Sequence, residues 1–334
     1  MKNILLIAAC LFSLTVSSDA QIYRVAQMNT EQIRGLDKEK TVVILTGGIL
    51  EEHGPHLPSF TDGYSNEWLA QKLAEAIVER KGMSVLIFPT VPLGNGGANE
   101  IGGKPVFPGS YGVRTTTLRA VFMDTATVLG DQGFRRIFVV HGHGAPLHNH
   151  TLDEAGEYFR DTYNGTMVHL RGLVPTGEQM AMLKLARPDL GLSDADKKEI
   201  GNFDEHAGFE ETSRLMFVRP DLVDPIVRTL PPITINDPAG LFRIADIPDW
   251  AGYLSSPRLA NASYGARLMQ YRAARDTALA ISILDGVLNE RDIPRFGQMM
   301  IGNKQMAAAH AAIERIEAER GRKQLEWLAK KGLK

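Results

Sequence analysis

Short, unbroken apolar runs alternate along this chain with longer segments whose apolar residues recur every three or four positions. Thr41–Thr46 (TVVILT) has no polar face and stops at Gly47-Gly48, which predicts a strand buried on both sides in a parallel sheet. Trp68, Leu69, Leu73, Ile77 and Val78 then keep helical spacing across Asn66–Lys81, with Asp62 or Ser65 placed to cap the segment. The same alternation predicts a strand at Ser84–Phe88, a helix at Thr115–Leu129, a strand at Arg136–Val140, a helix at Leu147–Tyr163 and a strand at Thr166–Leu170. Repeated βαβ units of this kind define an α/β fold whose mostly parallel sheet is covered on both faces. Ligands of such sheets bind at the carboxyl ends of the strands, and the polar clusters of this chain follow its first and third predicted strands.

The pattern is interrupted by a Gly-rich loop, Val91–Gly112, whose length suits a lid or an oligomer contact and which lacks the lysine of a phosphate-binding loop. A long helix is expected at Ser256–Leu284 and a polar one at Asn303–Lys331, so that residues 301–334 read as a helical extension of a domain spanning 21–300. The beginning of the chain is different again. Lys2 and Asn3 precede an apolar run from Ile4 to Val16, and Ser17-Ser18-Asp19-Ala20 follows, the layout of a secretory signal peptide cleaved after Ala20. The run falls short of the roughly 20 residues needed to cross a bilayer. A lipoprotein signal acylated at Cys10 ranks second. The expected mature protein is exported, periplasmic or secreted, with no membrane attachment.

Composition narrows the chemistry. The 334 residues are 44% hydrophobic and 23% charged, ordinary for a globular protein, and a net charge of -2 offers nucleic acid no basic surface. Cys10 is the only cysteine, so the mature chain has neither disulfides nor thiolate ligands. A metal site must use His, Asp and Glu.

Three clusters supply them. In Glu51-Glu52-His53-Gly54-Pro55-His56-Leu57-Pro58, residues two apart in an extended segment share a side, so Glu51 and His53 can converge on one ion; Gly54 and Pro55 bend the chain to return Asp62. One imidazole and two carboxylates suit zinc or manganese. The second cluster, His141-Gly142-His143-Gly144-Ala145-Pro146-Leu147-His148-Asn149-His150, packs four histidines into ten residues. Such a cluster can also be a pH sensor. The third, Asp204 to Ser213, sets His206 beside Glu210 and Glu211 near a helix start, where acidic residues commonly serve only as caps.

Together these segments resemble the creatininase family of creatinine amidohydrolases and related formamide hydrolases. Its first signature, Glu-Gln-His-Gly-Pro-His-Leu-Pro followed by Thr-Asp, matches Glu51–Pro58 and Thr61-Asp62 except that Glu52 replaces Gln. Its second, Asn-Gly-His-Gly-Gly-Asn, corresponds to His141–Pro146, and its third to His206-Ala207-Gly208 with Glu211-Thr212-Ser213. The resemblance spans about residues 30 to 290. It implies a three-layer α/β/α sandwich, often hexameric, with two divalent ions, zinc and/or manganese with iron as a further option, that hydrolyses a carbon–nitrogen bond in a cyclic amide or formamide. It assigns Glu51, His53, Asp62 and His143 as metal ligands, with Asp62 bridging. His206 is placed to serve the leaving nitrogen or the tetrahedral intermediate.

Departures from the pattern bear on the substrate. Creatininase carries a ligand Glu two residues after the second-motif His, where this chain has Ala145, so creatinine is a poor expectation. Glu211 is the candidate to replace it, in a metal-binding and catalytic role, with Glu210 as the alternative. In a continuous helix His206 would share a face with Glu210, whereas Glu211 recovers if Gly208 keeps the preceding residues out of the helix. His141 is expected to orient a ligand, His56 to be structural or to support the ligands from behind, and His148 and His150 to lie on a helix face. The expected activity is hydrolysis of a small amide or cyclic amide by a homo-oligomer, up to a hexamer. A lactone hydrolase on the same site and a non-catalytic metal-binding exported protein are the alternatives.

Overall fold

The computed structural model describes residues 20–176, 192–201, 204, 206–236 and 240–333. The expected signal peptide, apart from Ala20, and Glu205 lie outside them. Five strands, β1 (Ile22–Arg24), β2 (Thr41–Thr46), β3 (Ser84–Ile87), β4 (Arg136–Val140) and β5 (Thr166–His169), form one sheet in the order β1-β3-β2-β4-β5, and every adjacent pair is parallel. Alternate residues of β2 feed opposite cores: Val42 and Ile44 pack with Leu69, Leu73, Ile77 and Leu279, while Val43 and Leu45 pack with Phe122, Leu129, Leu152 and Phe159. A strand buried on both faces has no polar side to show, which is why its sequence is apolar throughout.

Helices cover both faces, as an α/β/α sandwich requires. Helices Thr61–Lys81 and Ala262–Leu284 line one core, and Thr115–Asp131 and Pro146–Tyr163 the other. The helix after β2 and the helix after β4 therefore lie on opposite faces although the two strands are neighbours. Their loops diverge and leave a crevice at the carboxyl ends of β2 and β4, the place where open α/β sheets bind ligands.

Several boundaries differ from the sequence pattern. The first long helix begins at Thr61, so Asp62 sits inside its first turn rather than capping it. The Gly-rich loop contains a short helix, Ala98–Ile101. The two late helices begin at Ala262 and Ala307, later than their patterns indicate, because Pro257 starts a separate 3-10 turn and Asn261 caps the former through the Tyr264 amide. Strand β1 is only three residues long, too short to leave a periodic signal. The terminal helix packs Ala309 and Ile313 against Ala98, Ile101 and Ala145 of the site-bearing loops.

Candidate metal centre

Three segments meet in the crevice. The loop after β2 brings Glu51 and His53, and the helix that follows brings Asp62. Gly54, at φ 67, makes the turn between them in the left-handed region that a side chain would disfavour. The loop after β4 supplies His143. The third segment supplies His206 and Glu211, and Gly208 is the N-cap residue of helix Phe209–Val218, so His206 and Ala207 precede the helix. Ala207 itself is left-handed, with φ 48, and its amide donates to Glu211 Oε2 at 2.7 Å. The Asp204 carboxylate supplies the missing cap, accepting from the Phe209 and Glu210 amides at 3.0 and 2.8 Å.

The donor atoms converge. His143 Nδ1 lies 3.2 Å from Asp62 Oδ2 and 3.4 Å from Glu51 Oε2. His53 Nε2 lies 3.4 Å from Glu211 Oε2, and His206 Nδ1 3.5 Å from Glu51 Oε1. Three sets result, each with one ligand atom per residue and all atoms within 4.8 Å of one another: Glu51, Asp62 and His143; His53, Asp62 and Glu211; Glu51, His53 and His206. Asp62 joins the first two sets. Glu211 faces the site, whereas Glu210 accepts from the Tyr264 hydroxyl at 3.2 Å.

The electrostatics show what this arrangement lacks. Burial drives the Glu51 carboxyl up to about 8, against the pull of His143. Burial would lower His53, but contact with Glu211 and the charges of Glu51 and Asp62 outweigh it and lift the imidazole to about 10. His143 rises to about 9 against burial, through Glu51 and Asp62. In the protein alone, protons on the imidazoles compensate the buried carboxylates. A divalent cation would replace those protons, since neutral imidazole nitrogens and carboxylate oxygens form a set that suits zinc or manganese. His53 Nε2 and His206 Nε2 are both buried without a hydrogen-bond partner among the described residues. The residues fit a metal.

Surrounding groups hold the donors in place. The Ala98 amide donates to Glu51 Oε1 at 2.6 Å, and His53 Nδ1 lies 3.1 Å from the Glu51 carbonyl. Asn149 Nδ2 donates to the His143 carbonyl at 2.9 Å, and Arg214 Nη2 to Glu211 Oε1 at 2.6 Å. Glu52 accepts from the Asn99 amide at 2.9 Å and from Ser110. These fixing groups lack a motif signal, apart from Arg214, which stands one helical turn beyond Glu211.

The remaining histidines separate. His56 turns away and meets Thr212 Oγ1 at 2.9 Å, tying the first cluster to the third. His141 meets the Leu93 carbonyl at 2.9 Å, and His148 is fully buried with its ring 4.4 Å from His141 and 5.1 Å from His143. Only His150 is outward, 3.8 Å from Glu154.

The fold and this buried His and carboxylate centre define an α/β protein with a metal-binding crevice at the switch point of its sheet. Residues 26–279 match the family model Creatininase, described as creatinine amidohydrolase, and the chain belongs to that family. It is 26% identical over 249 residues to a mycofactocin precursor peptide peptidase of Mycolicibacterium smegmatis, covering 72% of this chain and 85% of that protein. It is 27% identical over 238 residues to a creatinine amidohydrolase of Pseudomonas putida, covering 69% and 84%. A solved creatininase structure aligns with TM-score 0.55 at 22% identity over 80% of this chain and 98% of the other, in agreement with the α/β architecture. Solved creatininases include a manganese form and a Zn–Zn form.

Proposed function

We propose that the mature chain is an exported, metal-dependent hydrolase of a carbon–nitrogen bond in a small amide or cyclic amide. The observation that carries this reading is the pair of donor sets that share Asp62, Glu51–Asp62–His143 and His53–Asp62–Glu211. In this reading they hold two divalent ions, zinc and/or manganese. Such ions supply Lewis acidity toward the carbonyl and an acidified water at neutral pH.

The protein's own groups do the rest. His206 is buried beside the donors, and burial, followed by the charge of His53, pulls its pKa down to about 3. It is therefore neutral, and its position beside the donors, rather than its basicity, suits it to take the proton released as water oxygen bonds to the carbonyl carbon. Glu51 Oε1 at 3.5 Å from Nδ1 and Glu52 Oε1 at 3.6 Å from Nε2 flank the imidazole, while the charges of Glu211 and Asp62 favour its protonated form. Delivery of that proton to nitrogen as the carbon–nitrogen bond breaks yields an amine and a carboxylic acid. Ala145 leaves the wall beside His143 without the carboxylate of creatininase, and the neighbouring cavity of about 440 Å³ is walled by apolar groups including Leu241, Phe296 and Met300, which favours a substrate with an apolar portion over creatinine.

Export rests on the charged, apolar and small-residue layout of residues 1–20. Assembly as a homo-oligomer belongs to the same proposal, supported by the exposed Val106 and Tyr111 on the Gly-rich loop. The test is a parallel assay of chelator-treated and manganese- or zinc-reloaded chain on matched lactams and lactones. Metal-dependent lactam hydrolysis is expected. Full amidase activity after metal removal contradicts the proposal, and activity on lactones alone moves it to a different bond.

A further inference from the structure

A second cavity, of about 870 Å³, shares Asp62, His143 and Glu211 with the apolar one, and Arg171 and Arg275 as well, whereas Arg214 and Arg272 line the second alone. Its wall carries four guanidinium groups, Arg171, Arg214, Arg272 and Arg275, among carboxylates that include Asp204, Glu210 and Asp276. Arg171 is engaged elsewhere, and Arg214 and Arg275 are neutralised within the cavity. Arg214 donates to Glu211, and Arg275 donates to Asp276 at 2.8 Å and to the Leu170 and Leu173 carbonyls. Arg272, half-buried on helix Ala262–Leu284, has no hydrogen bond or ion pair among the described residues.

An unpaired guanidinium among like charges is costly. Burial, and then the charges of Arg214 and Arg171, weaken the hold of Arg272 on its proton more than Glu210 and Glu211 restore it. Divalent ions on Asp62 and Glu211 would take up the carboxylate charge that offsets these arginines, so the cavity becomes more cationic in the metal-loaded protein. A planar guanidinium left without a partner beside a reaction centre suits a planar anion.

We propose that Arg272 binds a carboxylate on the substrate, so that this hydrolase acts on small amides bearing a free carboxylate on one arm and an apolar group on the other. The apolar arm occupies the cavity walled by Leu241, Phe296 and Met300, and the carboxylate the guanidinium-lined one, with the scissile amide at the donors that the two cavities share. This assignment rests on the metal-hydrolase reading and names the substrate class for that same site.

The test is calorimetric binding to the manganese-loaded full chain, with hydroxamates as metal-directed probes. Monohydroxamates of succinic, glutaric and adipic acid carry a carboxylate tail, and alkyl hydroxamates of the same lengths are their neutral counterparts. At the best tail length the carboxylate probe is expected to bind about tenfold to a hundredfold more tightly than its counterpart. Arg272→Gln is expected to remove that preference while leaving the neutral probe unchanged, and Arg272→Lys to keep part of it. Equal binding of both tails at every length in the parent chain overturns the assignment, whatever the variants do. A preference that survives Arg272→Gln overturns it as well. Failure of every hydroxamate to bind overturns the metal-hydrolase reading and the assignment with it.

Discussion

Arg214→Met separates the two cations that can compensate Glu211. In the protein, Arg214 Nη2 lies 2.6 Å from Glu211 Oε1, and the side chains are 7% and 13% exposed, so the pair is largely removed from water. Methionine retains most of the packing volume and leaves Glu211 with the Ala207 amide and, as its nearest cation, His53. Breaking one side of a buried ion pair costs about 3–5 kcal/mol, because the surviving charge is stranded. At roughly 2–4 °C per kcal/mol for a domain of this order, the chelator-treated variant should unfold about 6–20 °C below the parent. With metal bound, Glu211 keeps a cationic partner, and the loss should be less than half as large. Thermal unfolding followed by circular dichroism, with EDTA and then with excess manganese, reads both values. Equal losses in the two conditions refute the reasoning, because they would mean that Glu211 gains no compensation from metal. A loss below about 1 kcal/mol without metal refutes the burial argument itself.

Other outcomes follow from the same geometry. Asp62→Asn should abolish both full metal loading and amide hydrolysis, measured by elemental analysis and product assay, since Asp62 joins two donor sets. His206→Gln should keep the metal content and lower kcat by about 10²–10⁴, the usual contribution of a positioned acid or base. His56→Ala should destabilise the chain by about 2–3 kcal/mol in denaturant titrations while metal content stays intact, because His56 is buried on Thr212 away from the donors. Burial raises Asp153 to about 7, above its usual carboxylate range and against the pull of Arg295. Its folded pKa thus exceeds the unfolded one: the stability it contributes is complete below about pH 4 and is lost as pH rises through about 7. Urea midpoints should accordingly fall between pH 5 and 8 less steeply for Asp153→Asn than for the parent.

The sheet was legible because its strands are buried on both faces and its helices on one. β2 and β4 have the expected limits, and β3 and β5 end one residue early. β1 was illegible: three residues at a sheet edge, with burial on neither face complete, leave no periodicity. The convergence of Glu51, His53 and Asp62 could be read from a turn at Gly54 and two-residue spacing. The preference for Glu211 over Glu210 could be read only as a condition on Gly208, because it depends on where the helix starts and on the left-handed turn at Ala207 before it. His148 lies on a helix face as expected, and that face is the buried one, packed against His141 and His143, a tertiary contact that helical spacing does not encode. Arg272 carried no signal at all, since its meaning comes from a cavity formed with Arg171 and Arg214, residues far from it in sequence.

Anomalous diffraction from crystals of the manganese-loaded chain tests the central claim most directly. The account predicts two manganese peaks on either side of the Asp62 carboxylate, one within bonding distance of Glu51 and His143 and the other of His53 and Glu211. No peak at Asp62, or manganese held only by surface carboxylates, would contradict it.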